Sequence, residues 1–286
     1  MQGLAILGKS RRHWRNIAIL TPFLAIMIFL FGLPSLRMLA RSILEPTLNF
    51  TQFGIVLGEP LYQQIFLTTL RISVLVTLLS VLLAFPVAHF ANRTSPLLRN
   101  ITFAIVLVPF WTSLLVRVYG WTFLLQRTGV INNALQSWGL SNTPLKLLYT
   151  EGAVILGITH YMLPFMIFSI YASLRSIDPR LPKAAATMGA RPLRVFIKVT
   201  LPLAMPGIVA GSILVFVGSL GFYVTPALMG SPSEMMIANL ISFQIRETLD
   251  WPRASAVASI LVVAVAVLTW LYLRFAQRAS IGKALQ

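Results

Sequence analysis

Cysteine is absent from this 286-residue sequence, and acidic residues are scarce, with seven Asp and Glu against 23 Lys and Arg. Without cysteine the chain has no disulfide bond, no thiolate metal site and no cysteine nucleophile. The three histidines, His13, His89 and His160, stand on separate segments and lack the spacing of metal ligands. No Gly-x-x-x-x-Gly-Lys-Ser/Thr motif is present, so the usual loop for binding the phosphates of ATP is missing. We therefore expect no catalytic residue, no metal site and no cofactor on this chain.

Charged residues are also few, at 10% of the chain, whereas 57% is hydrophobic. Soluble domains carry about 25% charged and about 45–50% apolar residues, so this composition indicates a membrane protein. Six apolar runs are each long enough for a helix to cross a hydrocarbon layer of about 30 Å. They cover residues 17–39, 65–90, 101–125, 153–174, 207–230 and 254–275. We predict an all-α polytopic membrane protein with six transmembrane helices in a single domain, residues 1–286. The first run is longer than a signal-peptide core and is expected to be retained.

The distribution of charge predicts the orientation of these helices, because Lys and Arg resist translocation across the membrane. With both termini inside, most Lys and Arg residues between the runs fall on the inner side, and Asp178 is the only acid there. Both termini are therefore predicted to be cytoplasmic. The net charge of +16 is then explained by topology and by contacts with anionic lipid. Since no nucleic-acid reading module is recognisable, we expect no nucleic-acid partner.

The polar segment 175–206, between the fourth and fifth runs, carries signals for a short helix. Asp178 can cap free backbone N–H groups, and Pro179 suits the first helical position because it has no N–H to leave unpaired. Residues 181–188 are predicted to be helical. Gly189 suits the left-handed position that ends such a helix, since it has no side chain to clash.

A second short helix is predicted to begin at Pro192 and to be stopped by Pro202. The first helix carries little bulk at residues 184–186, all alanine, so it can enter a groove on another protein with its backbone close to the wall. The alternative is an amphipathic helix held at lipid head groups by the basic residues Arg180, Lys183 and Arg191.

The sequence KAAATMGA at 183–190, followed by VTLPLAMPGI at 199–208, resembles the cytoplasmic EAA loop of permease subunits in type I ATP-binding-cassette importers. The chain matches that pattern at Ala184, Ala185, Gly189, Leu201, Pro202, Pro206 and Gly207, and it departs at Lys183, where the family usually has glutamate. The resemblance implies a type I importer permease fold, in which the loop helix is a coupling helix seated in a cleft of a cytoplasmic ATPase. It assigns coupling to Lys183, Ala184, Ala185, Gly189, Ala190 and Pro202.

Three further stretches resemble the permeases of polyamine importers, most of all the spermidine/putrescine permease B type: LVPFWTSLLVRVYGW (107–121), GVINNAL (129–135) and FYVTPALMG (222–230). The resemblance covers the chain from about Thr21 to Arg274. It implies a bacterial inner-membrane permease that pairs with a second, related permease subunit, a separate ATPase dimer that holds ATP and Mg, and an extracytoplasmic solute-binding protein. Opines, amino-acid derivatives, iron and phosphonates are alternative solutes. An ion-coupled secondary transporter is the other class, although it would be expected to carry inverted repeats and intramembrane acids.

The six apolar runs contain no Asp or Glu, so a polycationic solute cannot be passed along buried carboxylates. Aromatic faces, backbone carbonyls and acids at the outer mouth are the remaining means of handling it. The candidate path and gate residues are Trp111, Arg117, Tyr119, Trp121, Phe222, Tyr223, Glu247, Asp250 and Trp251. The alternative for the aromatic residues is anchoring at the membrane interface.

Two arginines, Arg71 and Arg117, lie inside the second and third runs, where a central arginine costs about 2.5–3.5 kcal/mol on insertion scales. They are expected either to reach the outer interface or to form a gate or interhelical pair. The acids considered as partners are Glu234, Glu247 and Asp250.

The fifth run contains glycines whose spacing predicts close helix packing. Residues near its C-terminal end predict where the helix ends. Small residues recur along one side at Gly207, Gly211 and Gly218. Pro226 and Gly230 are expected to end this helix. The stretch from there to Trp251 is expected to form a re-entrant or outer gate helix, with a plain loop as the alternative.

Overall fold

The computed structural model describes residues 21–23, 25–44 and 50–284, and every regular element in that part of the chain is a helix. His13 and the start of the first predicted run, residues 17–20, lie outside the described residues. In chain order the helices are α1 Thr21–Leu44, α2 Thr51–Gly58, α3 Pro60–Arg93, α4 Pro96–Leu107, α5 Leu114–Leu125, α6 Val130–Ser137, α7 Glu151–Ser176, α8 Arg180–Thr187, α9 Pro192–Val195, α10 Leu201–Leu220, α11 Val224–Met229, α12 Ile237–Arg246 and α13 Trp251–Ala284.

Most of the predicted spans are present as continuous helices. Within the described residues, five unbroken stretches are long and apolar enough to cross a membrane: Thr21–Leu44, Pro60–Arg93, Glu151–Ser176, Pro192–Leu220 and Trp251–Leu271. A sixth consists of two pieces, Pro96–Trp111 and Leu114–Ser137, which meet at an angle of 98°. The all-α, multi-pass membrane fold is therefore confirmed.

The third predicted run, 101–125, is not one helix, and this expectation is wrong. Helix α4 ends at Leu107 and tightens into a 3-10 turn, Val108–Trp111, before the chain breaks at Thr112 in an extended conformation. Pro109 explains the break, because it has no N–H for the helical ladder and its ring crowds the carbonyl four residues earlier.

The fifth predicted run, 207–230, has different limits at both ends. The helix ends at Leu220, and a separate short helix, α11, follows it, so Pro226 and Gly230 do not end the span. Pro226 lies inside α11, and its ring would clash with the carbonyl of Phe222 if the longer helix continued.

Pro202 was expected to stop the second short helix, and this is also wrong. A π-helical turn at Phe196–Thr200 joins α9 to α10, with the Leu201 N–H bonded to the Phe196 carbonyl. Pro202 directly follows this π-helical turn, a local change in the hydrogen-bond ladder of the kind found where a helical stretch contains a proline. The second half of the loop and the fifth span are therefore one helical stretch from Pro192 to Leu220.

The main core lies where α3, α7 and α10 pack together. Its centre is made of fully buried apolar side chains on all three helices, including Ile72, Val76, Met166, Ile170 and Val215. A second cluster joins α2, α3, α12 and α13 through Val56, Ile65, Ile237 and Val257. These two clusters hold the outer elements against the central helices.

Small residues let α10 approach α7 closely, as predicted from the glycine spacing. A Cβ atom on Gly207 would lie 2.4 Å from the Ser173 Cβ and 2.5 Å from the Ser169 carbonyl oxygen. A Cβ on Gly211 would lie 2.7 Å from the Met166 sulfur. The packing role of these glycines is confirmed, because no side chain fits at the contact.

Candidate functional site

The loop helix α8 begins and ends beside the residues that the sequence predicts as its caps. The Asp178 Oδ1 accepts a hydrogen bond of 2.8 Å from the Arg180 N–H, and the helix begins at Arg180, directly after Pro179. At the other end Gly189 has φ +82°, and its N–H donates to the Ala186 carbonyl at 3.0 Å. The Ala190 N–H donates to the Ala185 carbonyl at 3.2 Å, which completes a Schellman cap.

The surface of α8 is open, since none of its residues is buried. Lys183, Ala184 and Gly189 are exposed, whereas Ala185, Ala190 and Pro202 are half-buried. Met188, just beyond the helix, is 88% exposed, and Leu181 is exposed as well. Exposed apolar side chains grouped on one small element are typical of a protein contact. Five of the six predicted coupling residues therefore lie on or directly after this accessible element, and the sixth, Pro202, lies at the start of α10.

A cluster of aromatic rings lies at the break of the third span. Tyr161 on α7 is central to it, with ring centroids 5.2 Å from Phe222 and 6.1 Å from Phe110. Phe165, one turn further along α7, lies 5.3 Å from Phe110. We call Phe110, Tyr161, Phe165 and Phe222 the aromatic cluster. It brings together parts of the chain that are far apart in sequence.

Arg117 reaches from α5 into this cluster. Its guanidinium carbon lies 5.3 Å from the Tyr161 ring centroid and 6.0 Å from that of Phe110. The Nη2 group donates to the carbonyls of Pro109 and Thr112, the latter at 3.4 Å. Arg117 therefore adds a donor to backbone carbonyls at the break, where the Pro109 carbonyl also accepts from the N–H and hydroxyl of Thr112. Within the described residues Arg117 has no carboxylate partner, which was one of the two alternatives.

Trp121 and His160 form a polar link beside the cluster. The Trp121 Nε1–H donates to the His160 Nδ1 at 3.1 Å, with the two rings nearly perpendicular. Since Nδ1 accepts this bond, a neutral His160 carries its proton on Nε2. The contact ties α5 to α7 near Arg117, so Trp121 lies close to the cluster.

The other predicted path residues do not join this group. Trp111 is 90% exposed and Tyr119 is 59% exposed. The remaining four lie on or beside the short helices and turns from α11 to the start of α13. The Tyr223 carbonyl accepts a hydrogen bond from the Asn239 Nδ2 at 3.0 Å, and Glu247 is exposed. Asp250 lies 3.3 Å from Arg253, and the guanidinium of Arg41 lies over the Trp251 ring. The structure thus gathers Arg117, Trp121 and Phe222 and leaves the rest apart.

Sequence reasoning missed Tyr161, Phe165 and His160, all on α7. Tyr161 and Phe165 are four residues apart, a spacing that places two aromatic rings on the same face of a helix. That spacing was a usable signal, but it does not tell which helix the face meets. The partner ring, Phe110, lies in a stretch whose break was not predicted.

Helix α12 is fastened to α3 by buried polar contacts, so the stretch before Trp251 is not a plain loop. The Ile237 N–H donates to the Thr69 Oγ1 at 3.0 Å, which gives α12 a cap from another helix. Near its other end the Gln244 Nε2 donates to the Tyr62 hydroxyl at 3.0 Å. Both contacts hold α12 across the end of the second span.

Glu234 closes the turn before α12. Burial alone would raise the pKa of this carboxyl, but hydrogen bonds from the Ser231 hydroxyl and N–H and from the Ser233 hydroxyl bring it below its ordinary value. The net effect is a carboxylate that stays ionised. It fixes the turn through a capping box with Ser231.

The stretch 129–135, which carried part of the resemblance, has a structural role through Asn132. This side chain is fully buried, and its Nδ2 donates to the carbonyls of Gln126 and Leu145 at 3.1 and 3.0 Å. Its Oδ1 accepts from the Leu145 N–H at 2.8 Å. Asn132 therefore closes the loop that follows the broken span.

The chain has several membrane spans, one of them broken beside an aromatic cluster, and an accessible loop helix that a short turn separates from the span Pro192–Leu220. This arrangement is typical of a membrane transport component. The family described as "Binding-protein-dependent transport system inner membrane component" matches residues 77–281, and the chain belongs to this family. The predicted importer-permease class is thereby confirmed. In this family the ATPase is a separate subunit, so the chain is a multi-pass permease subunit of an inner-membrane importer and not an enzyme.

Individual relatives agree with this assignment. The spermidine/putrescine transport system permease protein PotB of Salmonella typhimurium (strain SL1344) is 32% identical over 273 residues, which cover 93% of this chain and 95% of that protein. The PotB protein of Haemophilus influenzae is 35% identical over 255 residues, covering 87% and 89% of the two chains. A bacterial alginate ABC transporter, solved in complex with an alginate pentasaccharide-bound periplasmic protein, has the same fold, with a TM-score of 0.78 at 21% identity over 95% of this chain and 96% of that one.

Proposed function

We propose that this permease subunit imports a polyamine such as putrescine or spermidine. The observation that carries the proposal is the aromatic cluster, which already holds a cation, the guanidinium of Arg117, against the face of Tyr161. Such a contact contributes about 0.5–2 kcal/mol, depending on how dry the site is. An alkylammonium group can occupy the same ring face. The names of the two bacterial relatives support the same solute class.

Aromatic handling of a cation also suits the charge distribution. Six of the seven acids lie in segments that are assigned to the outer side: Glu45, Glu59, Glu151, Glu234, Glu247 and Asp250. Of these, we propose that Glu247 and Asp250 attract the solute to the outer mouth, near Trp251 and Tyr223. From there the rings of Phe222 and Tyr161 lead towards the break of the third span.

Arg117 is then a resident cation that the solute displaces. Two of its nitrogens, Nε and Nη1, are buried without a hydrogen-bond partner, so the guanidinium is held mainly through Nη2 and the ring faces. We propose that an incoming ammonium group competes for the Tyr161 face and that Arg117 moves aside. Trp121 and Tyr119 lie on the same helix as Arg117 and would move with it.

The loop helix α8 is proposed to dock on a cytoplasmic ATPase dimer, which binds ATP and Mg. Its accessible residues, Lys183, Ala184 and Gly189, together with the half-buried Ala185, Ala190 and Pro202, would form the contact. The remaining partners are a second, related permease subunit and an extracytoplasmic solute-binding protein. In this arrangement both termini are cytoplasmic, in agreement with the excess of Lys and Arg on that side.

The continuous stretch from Pro192 to Leu220 suggests how ATP binding acts on the path. A shift of α8 would reach α10 through the short turn at Gly189 and the helical stretch that begins at Pro192, and α10 packs closely on α7 at Gly207 and Gly211. Helix α7 carries Tyr161. Closure of the ATPase dimer is therefore proposed to move the aromatic cluster relative to α5 and to switch the access of the path.

A small anion is the second candidate solute, and Arg117 is the observation that favours it. A guanidinium with two unpartnered nitrogens can receive a carboxylate or a phosphonate. In that case the solute would pair with Arg117 and would not displace it.

Uptake measured in cells that lack the endogenous gene, complemented with this chain and its partners, tests the proposal. We expect ATP-dependent uptake of radiolabelled spermidine or putrescine with the proton gradient clamped, and none of a labelled phosphonate. Phosphonate uptake without polyamine uptake would replace the first candidate with the second. Uptake that survives ATP depletion and follows the proton gradient would contradict both.

A further inference from the structure

A cavity of about 430 Å³ lies between the loop helix α8, the adjoining ends of α3 and α7, and the π-helical turn before α10. It is separate from the aromatic cluster. Its polar lining consists of His89, Asn92, Arg93, Lys183 and Thr200, and its other walls are apolar or proline side chains. It goes beyond the proposed transport function, because nothing in the transport path requires it.

The rim of this cavity is basic. Arg93 closes the last turn of α3, and Lys183 projects from α8; both are exposed. Neither forms an ion pair with any residue in the described part of the chain, and no Asp or Glu lines the cavity. Two cations from different helices therefore face one space with no anion between them.

The floor of the cavity holds polar atoms that are not paired. Thr200 is 5% exposed, and its Oγ1 has no hydrogen-bond partner. The His89 Nδ1 is likewise buried and unpartnered, while the His89 ring is enclosed by Phe85 and Phe196, with centroids 6.0 and 5.7 Å away. Buried polar groups are nearly always paired in folded proteins, so two orphans at one cavity indicate a missing partner.

We propose that this cavity binds a phosphate group. A guanidinium, an ammonium, a hydroxyl and an imidazole can all donate hydrogen bonds, and a phosphate supplies several strong acceptor oxygens and negative charge. The Asn92 Nδ2 makes only a long bond of 3.5 Å to the Leu174 carbonyl and can turn to the same ligand. The phosphate comes either from the head group of an anionic phospholipid or from a soluble phosphate compound.

A bound phosphate would connect the loop to the second span. Arg93 belongs to α3 and Lys183 to α8, and among the described residues no hydrogen bond or salt bridge joins these two helices. A ligand held by both side chains would restrain α8, and its backbone amides would exchange more slowly. Lys183, the position at which the chain departs from the EAA pattern, acquires a specific role in this arrangement.

The test uses the full-length chain, purified with the subunits that copurify with it, in nanodiscs of phosphatidylcholine alone or with added phosphatidylglycerol. A separate arm adds inorganic phosphate to the phosphatidylcholine discs, with chloride as the salt control. The readouts are retained lipid by native mass spectrometry, thermal unfolding, and hydrogen exchange of the α8 amides. Three variants are compared with the wild type: the Arg93→Gln, Lys183→Gln pair; Thr200→Val; and a charge-matched control pair, Arg175→Gln, Arg180→Gln, outside the cavity.

We expect phosphatidylglycerol or phosphate to stabilise the wild type and the control pair and to slow exchange in α8. The apparent affinity should fall at least about tenfold in the rim pair, because two charge-assisted contacts are lost. Thr200→Val, which keeps both rim charges, should weaken binding by a smaller factor and covers the case in which the rim pair does not fold. A response to lipid identifies the head group as the source, and a response to inorganic phosphate alone identifies a soluble compound.

The proposal is overturned if neither phosphate source changes stability or exchange, or if the rim pair, Thr200→Val and the control pair all respond like the wild type. None of these measurements depends on transport. A failure here therefore leaves the proposed solute untouched, and a failure of polyamine uptake leaves this site untouched.

Discussion

Arg71 and Glu151 join the second span to the first residue of the fourth, with the Arg71 Nη2 donating to the Glu151 Oε2 at 2.7 Å. The interhelical pair, one of the alternatives for Arg71, is therefore present, but its acid is Glu151 and not Glu234, Glu247 or Asp250. The pair lies at the end of α7, where the Arg71 side chain is largely exposed. The charge of Arg71 is thus balanced by a carboxylate, and its side chain is not buried.

Breaking this ion pair should have a small effect on stability. Partly exposed pairs contribute about 0.2–1 kcal/mol, so Glu151→Gln should lower the melting temperature only slightly. The exchanged pair, Arg71→Glu with Glu151→Arg, should recover part of the loss. Thermal unfolding of Arg71→Glu, of Glu151→Arg and of the double variant in detergent measures the coupling between the two side chains. Strictly additive losses would show that the two side chains do not interact.

The close approach of α10 to α7 predicts a much larger effect at Gly207. In Gly207→Ala the new Cβ would meet the backbone of α7 at Ser169, which cannot move aside like a flexible side chain. Overpacking of this kind costs about 1–3 kcal/mol. Gly120→Ala is the control, because a Cβ there meets nothing within 4 Å. Folded yield and melting temperature should fall for the first variant and stay level for the second.

The left-handed backbone at Gly189 predicts a loss of uptake when the residue is changed to valine. A left-handed conformation costs an L-residue about 1–2 kcal/mol, so Gly189→Val should distort the cap of α8 and disturb docking on the ATPase. Gly139→Val is matched to it, since Gly139 has φ +70° and equal open space but lies in the loop after α6. Normal uptake by Gly189→Val at normal abundance would contradict the coupling role, and lost uptake by Gly139→Val would show that the strain alone is responsible.

Tyr161 should determine the apparent affinity for a cationic solute. Tyr161→Phe keeps an aromatic face and should change the KM for spermidine little, whereas Tyr161→Leu removes it and should raise the KM by about 2- to 30-fold. Uptake kinetics at matched protein abundance measure both. Equal KM values for the two variants would mean that the ring face does not contact the solute.

The lowered pKa of Glu234 predicts a pH-dependent contribution to stability. A carboxyl whose pKa is lower in the folded protein stabilises it above the unfolded value, about 4.3, and this stabilisation is lost as the pH falls through the folded value. The difference in melting temperature between the wild type and Glu234→Gln should therefore be constant near neutral pH and shrink in acid. A difference that grows on acidification would contradict this sign.

The sequence was sufficient for the rough position of most spans, because each span requires a long apolar run. The cap of α8 followed from Asp178 and Gly189, which act within a few residues. The break after Pro109 was not foreseen, since the same proline inside a helix can produce a mere kink. At this break the Pro109 carbonyl accepts hydrogen bonds from Thr112 and from Arg117 on the next helix, contacts that the sequence around Pro109 does not reveal.

Contacts between distant elements were the least accessible to prediction. Arg71 meets Glu151 across 80 positions, and Tyr161 meets Phe222 across the break that follows α10. Neither pairing has a periodic signal in the sequence, because each depends on which faces of α3, α7 and α10 meet. The individual candidates Arg117, Trp121 and Phe222 were found by residue type, but their common neighbourhood required the packed helices.

Asn132 keeps the backbone of the surrounding loop ordered, which lowers the entropy cost of binding a protein there. Its three hydrogen bonds fasten residues 126 and 145 to one buried side chain, and the Tyr149 N–H adds a bond of 3.0 Å to the Met229 carbonyl. The backbone here is ordered before a partner binds. Binding to this loop would therefore lose less conformational entropy than binding to a flexible loop. A partner that bound this loop would therefore meet a backbone that is already folded.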